Sequence, residues 1–247
     1  MKLSNLRSRT IALLMLIASV ILYCVDYLIL GKGTDIFSGF LGNLAFLPIY
    51  VLFVTLILER VLKERERLAK RQKLNMVIGV FFSEVGTGLI QTLTDFLPTP
   101  EELSSRMQIT PQWTTGDFRA GIVFLDSHDL QVDSRHGDLS FLKMFLLARR
   151  DFLLRLLENP NLLEHDEFTE LLWAVFHLME ELAARESFSG LPASDLEHLS
   201  GDTKRAAVHL LREWVIYMKH LKKDYPYLFS LAVRMNPMNP EAKAVVY

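Results

Sequence analysis

The chain has 247 residues, 50% of them hydrophobic, and a formal net charge of -2. That length holds one medium domain with an appendage or two small domains, and the near-balanced charge gives no global attraction to nucleic acid. The single cysteine, Cys24, excludes an intrachain disulfide and leaves the rest of the chain without a thiol for zinc binding or catalysis.

Two apolar stretches come first, 11–30 with one formal charge at Asp26 and 36–58 with none. Each is close to the roughly 20 residues that a helix needs to cross a bilayer. "GKGTD" between them is long enough to turn the chain, so residues 1–58 read as a transmembrane helical hairpin. Lys2, Arg7 and Arg9 precede it, and Arg60, Lys63, Arg65, Arg67, Lys70, Arg71 and Lys73 follow it, against Lys32 alone in the turn. This asymmetry predicts both termini on the cytoplasmic side of the cell inner (plasma) membrane. The first stretch is too long for a signal-peptide core, and the bulky Tyr23 before Cys24 argues against lipoprotein processing, so an uncleaved anchor is expected. Asp26 and Asn43 form a polar pair at similar depth. Asp26 is expected to reach the headgroups and Asn43 to bond across the hairpin, with a pore lining as the sharper alternative. Ser38, Gly42 and Ala45 make a small-residue face for helix contact, and Pro48 predicts a kink.

The segment 59–73 carries seven basic and three acidic residues, and Glu59 with Lys63 and Glu66 with Lys70 have helical i,i+4 spacing. The second span therefore continues as a helix, its seven basic residues (Arg60, Lys63, Arg65, Arg67, Lys70, Arg71, Lys73) placed to contact lipid headgroups. In "LNMVIGVFFSEVGTGLIQTLTDFLP", 74–98, the spacing of Ile78, Phe81, Phe82, Val85, Leu89 and Leu93 predicts a helix at the membrane surface or in the soluble core.

Residues 98–117 read as a loop with at most one helical turn, and 118–130 as a helix. Three long helices follow. The first, 138–158, opens at Gly137-Asp138 and offers Phe141, Leu142, Phe145, Leu146, Phe152 and Leu153 for burial. The second, 166–186, is apolar nearly all round in "LLWAVFHLM", which predicts a central position with Trp173 buried. The third, 202–224, takes Asp202 as its cap, with "SGLPASDLEHLSG" as the connection before it. A short helix from Pro226 closes the chain. The fold class is all-α: a hairpin over 1–58, a basic juxtamembrane helix and amphipathic helix over 59–97, and a cytosolic helical bundle over 98–247.

"LNMVIGVFFSEVGTG", "LLWAVFHLMEEL" and "KKDYPYLFSLAVRMNP" resemble an uncharacterised group of prokaryotic two-span membrane proteins with no assigned activity. The likeness covers most of 74–240 and implies that hairpin and helical domain belong together. It transfers no catalytic residue.

Candidate chemistry is sparse. Asp166, Glu170, His177 and Glu181 share a flank of the second helix, and His209, Glu213 and His220 recur on the third. Di-iron bundles use Glu-x-x-His from two helices, whereas His177-x-x-Glu180 is the reverse order. His177, Glu180, His209 and Glu213 are thus the metal candidates, with a core histidine and solvated ion pairs as the simpler account. "DSHDLQVDSRHGD", 126–138, concentrates acids and histidines as a solvated loop would. No phosphate loop, nucleophile elbow or zinc-protease helix is present, and no cofactor is expected. The leading expectation is a non-enzymatic inner-membrane protein, in contact with lipid and forming homo-oligomers, whose cytosolic domain binds a protein partner and not nucleic acid. A gated channel is the alternative, and a membrane-bound metal enzyme comes after it.

Overall fold

The computed structural model describes residues 33–159, 162, 165–239 and 241–245, together with 17, 20, 21, 24, 25, 27 and 28. Asp26, the flanking Lys2, Arg7 and Arg9, and Gly31 and Lys32 of the expected turn lie outside the described residues, as do the side chains of Gly42, Ala45, Lys70 and Arg71; Gly33, Thr34 and Asp35, expected in that turn, are already helical. Every regular element among the described residues is helical, and no strand occurs among them. The chain divides into two compact units, Met1–Arg67 and Leu68–Tyr247.

In the first unit the described residues 17, 20, 21, 24, 25, 27 and 28 are helical, and α1, Gly33–Phe81, continues through Pro48 without ending. From Ile49 to Leu58 every residue except Thr55 is an exposed apolar side chain, and Asn43 is exposed as well. Glu59 and Lys63, one turn apart, pair at 2.6 Å where the apolar run gives way to charge.

The second unit is built on the end of α1. Leu74, Ile78 and Phe81 are buried, and a π-turn, Phe82–Gly86, continues directly into α2, Thr87–Thr94. The π-turn answers a packing demand. Phe81 and Phe82 are consecutive, and both are fully buried, Phe81 edge-on to Phe168 and Phe82 stacked on Tyr217. Ordinary helical rotation would set the following apolar residues progressively off that face; one extra residue per turn returns Val85, Leu89, Ile90 and Leu93 to it. Gly86 is required there, because a Cβ would lie 2.5 Å from the Phe82 ring. All six apolar positions of the 74–98 periodicity are therefore core residues of this unit.

Short helices α3, Pro100–Arg106, and α4, Thr115–Ser127, come next. The second starts three residues before the sequence expectation. Thr114 accepts from the Asp117 amide and the Asp117 carboxylate accepts from the Thr114 amide, a closed capping box. Asp138 caps α5, Leu139–Leu147, through the Phe141 amide. The single helix expected over 138–158 is in fact two, because α6, Arg150–Leu157, restarts after Arg149. Arg149 donates to the Glu84 and Phe145 carbonyls and lies 3.7 Å over the Phe145 ring, so a tertiary anchor breaks the helix. Phe141 is exposed, not buried.

The centre of the unit is the pair α7, Asp166–Ala183, and α8, Ala193–Asp224. Leu171, Leu172, Val175, Leu178, Met179 and Leu182 face the core. Trp173 does not: it is 55% exposed, which corrects the expectation of burial, since a helix apolar on nearly every side still buries only the side that neighbours cover. The connection read over "SGLPASDLEHLSG" is also corrected. After Pro192 the chain is already helical, so α8 begins nine residues before Asp202, and Asp202 is a buried mid-helix residue instead of a cap. α9, Pro226–Arg234, follows Tyr225.

Candidate functional site

Three rungs join α7 and the start of α8. Arg185, just past the end of α7, makes a two-pronged bond to Asp195 at 2.6 and 2.9 Å. One turn back, Glu181 faces His198 at 3.5 Å; one turn further, His177 faces Asp202 at 3.5 Å. The numbers rise along α8 as they fall along α7, so the helices are antiparallel here. Each contributes a histidine followed four residues later by a carboxylate, the spacing that puts two side chains on one helical face.

The rungs converge. His198 Nε2 lies 3.3 Å and His177 Nε2 3.5 Å from the same atom, Oδ2 of Asp202, and His177 Nε2 is 3.9 Å from Oε1 of Glu181. Asp202 is only 3% exposed, and its Oδ2 accepts no hydrogen bond. Arginines hold the other carboxylate oxygens: Arg205 is 3.2 Å from Asp202 Oδ1, and Arg185 donates to Glu181 Oε2 at 2.9 Å. The bond from Arg185 keeps the Glu181 carboxyl below the usual carboxylate range, and the same guanidinium holds Asp195 down. Glu181 is therefore anionic at neutral pH. The two imidazoles are about half exposed, so the cluster opens to solvent on the histidine side.

Other residues singled out in the sequence have separate places. His177 is a surface histidine, not a core one, and its neighbours are Glu181 and Asp202, whereas Glu180 pairs with Arg150 at 3.6 Å. His209 and Glu213, further along α8, join no metal-sized group among the described residues. Glu213 is buried with both carboxylate oxygens unbonded, and burial, reinforced by the negative charge of Glu167, pushes its carboxyl up to about 7. His220 bonds Asp224 at 2.8 Å and sits 3.3 Å from the Asn75 amide.

The acidic loop 126–138 does not converge on one point. Asp126 meets Arg212, Asp129 meets Lys204, Asp133 meets Arg135 and His136, and Asp138 caps α5. Its charges tie the loop to α8 and to itself.

Residues 70–234 match a family model described as the C-terminal helical domain of the uncharacterized protein MJ1433, and residues 3–62 match one described as the N-terminal helical domain of MJ1433. The curated MJ1433 protein of Methanocaldococcus jannaschii is 43% identical over 229 residues, which cover 93% of this chain and 92% of the relative. No solved structure matches the chain. Two matched models in the same order, and a relative aligned almost end to end, mean that the chain belongs to the MJ1433 family of two helical domains.

Proposed function

We propose that the protein is a membrane-anchored helical module: residues 1–58 form a two-helix anchor, and the second unit stands on the cytoplasmic side as a binding domain. The observation that carries this reading is the run from Ile49 to Leu58, exposed and apolar through ten consecutive positions apart from Thr55. Ten residues at 3.6 per turn cover every side of a helix, so this is no amphipathic stripe waiting for one neighbour; an apolar solvent all round is its natural complement. A helix long and apolar enough to cross a membrane runs through the same residues. The basic residues that follow at once, Arg60, Lys63, Arg65 and Arg67, supply the cytoplasmic flank. In this reading the second unit recruits a protein partner or a second copy to the membrane.

Fusing a reporter that is active only outside the cytoplasm tests the topology. Fusion at Gly33 gives signal, and fusions at Pro98 and Tyr247 give none. Signal at Tyr247, or none at Gly33, overturns the two-span anchor.

A further inference from the structure

We propose that His177, Glu181 and Asp202, whose ligand atoms lie within 4.8 Å of one another, bind one divalent transition-metal ion of the zinc class, fastening the end of α7 to the start of α8, with the fourth position left to water and His198 beside it. The proposal is independent of the membrane anchor.

Spacing is the first argument. If these side chains were held only as histidine–carboxylate ion pairs, their N–H groups would close to hydrogen-bond distances of about 2.7–3.2 Å. His177 Nε2 stands instead 3.5 Å from Asp202 Oδ2 and 3.9 Å from Glu181 Oε1. A tetrahedral ion with bonds of about 2.0–2.2 Å sets its ligand atoms about 3.3–3.6 Å apart, the edge being 1.63 times the bond. An octahedral ion with bonds of about 2.1 Å would draw neighbouring ligand atoms to about 3.0 Å. The spacings at His177 are therefore nearer those of a four-coordinate ion with three protein ligands than those of a six-coordinate one.

Asp202 is the second argument. A carboxylate oxygen buried without a hydrogen bond is costly unless a cation meets it. Both imidazole Nε2 atoms flank that oxygen, yet neither bonds it. An ion held between His177, Glu181 and Asp202 meets that oxygen with a positive charge.

Donor chemistry is the third. The two carboxylates balance a dication, and the imidazole nitrogen of His177 selects zinc, iron or copper over calcium or magnesium. Arg205 on Asp202 and Arg185 on Glu181 each hold one carboxylate oxygen and leave the other directed at His177, while His198 lies 3.5 Å from the Glu181 oxygen that Arg185 holds. Such outer contacts fix the orientation of metal ligands. The half-exposed histidines give an ion a route in without opening the core.

The test uses the full chain in detergent, stripped with chelator and dialysed against zinc chloride at fixed pH. The expected result is one zinc ion per chain, with a rise in melting temperature on loading. His177→Gln, at a half-exposed position, abolishes saturable binding, whereas His198→Gln, beside the site, weakens it by about 10–100-fold at most. Asp202→Asn abolishes the zinc-induced shift, while its metal-free form melts no lower than the metal-free parent, because the change removes a buried charge. Cobalt(II) in place of zinc gives the intense visible bands of a four-coordinate ion. Absence of saturable zinc binding overturns the proposal. So does stoichiometric binding that persists in the His177→Gln/His198→Gln double variant, which would put the ion elsewhere. Weak six-coordinate cobalt bands would overturn the assigned geometry.

Discussion

Glu213→Gln is expected to stabilise the second unit at and above neutral pH. Glu213 is 1% exposed, neither carboxylate oxygen accepts a hydrogen bond, and the group its carboxyl faces is another acid, Glu167. The nearest cation, Arg212, is engaged by Glu167 and Asp126, so the Glu213 carboxyl meets burial first and the Glu167 charge second, and its pKa rises to about 7 from 4.5. Below about pH 4.5 folded and unfolded chains both hold this proton, and it has no effect on stability. Between about 4.5 and 7 the folded chain keeps a proton that the unfolded chain releases, so stability falls as pH rises; above about 7 the loss is complete. At about 1.4 kcal/mol per unit, the raised pKa amounts to about 3 kcal/mol. Glutamine has the same shape and no charge to bury. Urea melts of parent and variant in detergent, followed by fluorescence of Trp113, Trp173 and Trp214 (all in the second unit), yield the difference at each pH. The curves should coincide near pH 4.5 and separate by about 2–3 kcal/mol at pH 8, the variant being the more stable. A variant less stable than the parent at pH 8 would mean that the ionised carboxylate is used by the fold, and would refute this account.

Two further substitutions are read by the same melts. Trp173→Ala should cost about 1 kcal/mol or less, because the ring is largely exposed, whereas Phe168→Ala, fully buried on the same helix, should cost about 3–5 kcal/mol. Gly201→Ala should stabilise by up to about 1 kcal/mol, since it lies inside α8 with open space around an added Cβ, while Gly86→Ala, which drives a Cβ into the Phe82 ring, should destabilise by about 1–3 kcal/mol.

The core of the fold is legible wherever periodicity and chemistry agree. Ile78, Phe81, Phe82, Val85, Leu89 and Leu93 can be picked out as one face from spacing alone, and all six are buried. The Asp138 cap is equally plain, being a short acidic side chain before an apolar run. Thr114-x-x-Asp117 was readable too, as a capping box that starts α4 before its apolar residues begin. What periodicity does not carry is the work of distant residues. Arg149 divides α5 from α6 by reaching the Glu84 carbonyl, 65 positions earlier in the chain, and no local pattern announces that. Trp173 faces outward because no helix among the described residues covers its side of α7, a fact about neighbours and not about "LLWAVFHLM".

The histidine–carboxylate cluster was hidden by one boundary. Reading Gly201-Asp202 as a helix start is sound local chemistry, because glycine disfavours helix interiors and aspartate is a good cap. It places His198 in a loop, however, and leaves His177 to be matched with Glu180 or with His209 and Glu213. Once Pro192 is taken as the residue before the first turn, "HLSGD" becomes helical, and His198 and Asp202 acquire the spacing that His177 and Glu181 already have. The register then follows from the turn. Glu181 stands two residues before the end of α7 and His198 five residues after the start of α8; His177 and Asp202 are each four residues further from the connection. Once antiparallel helices pair Glu181 with His198, residues one turn further along each are paired as well, so the position of a single proline decides whether these scattered polar residues face one another.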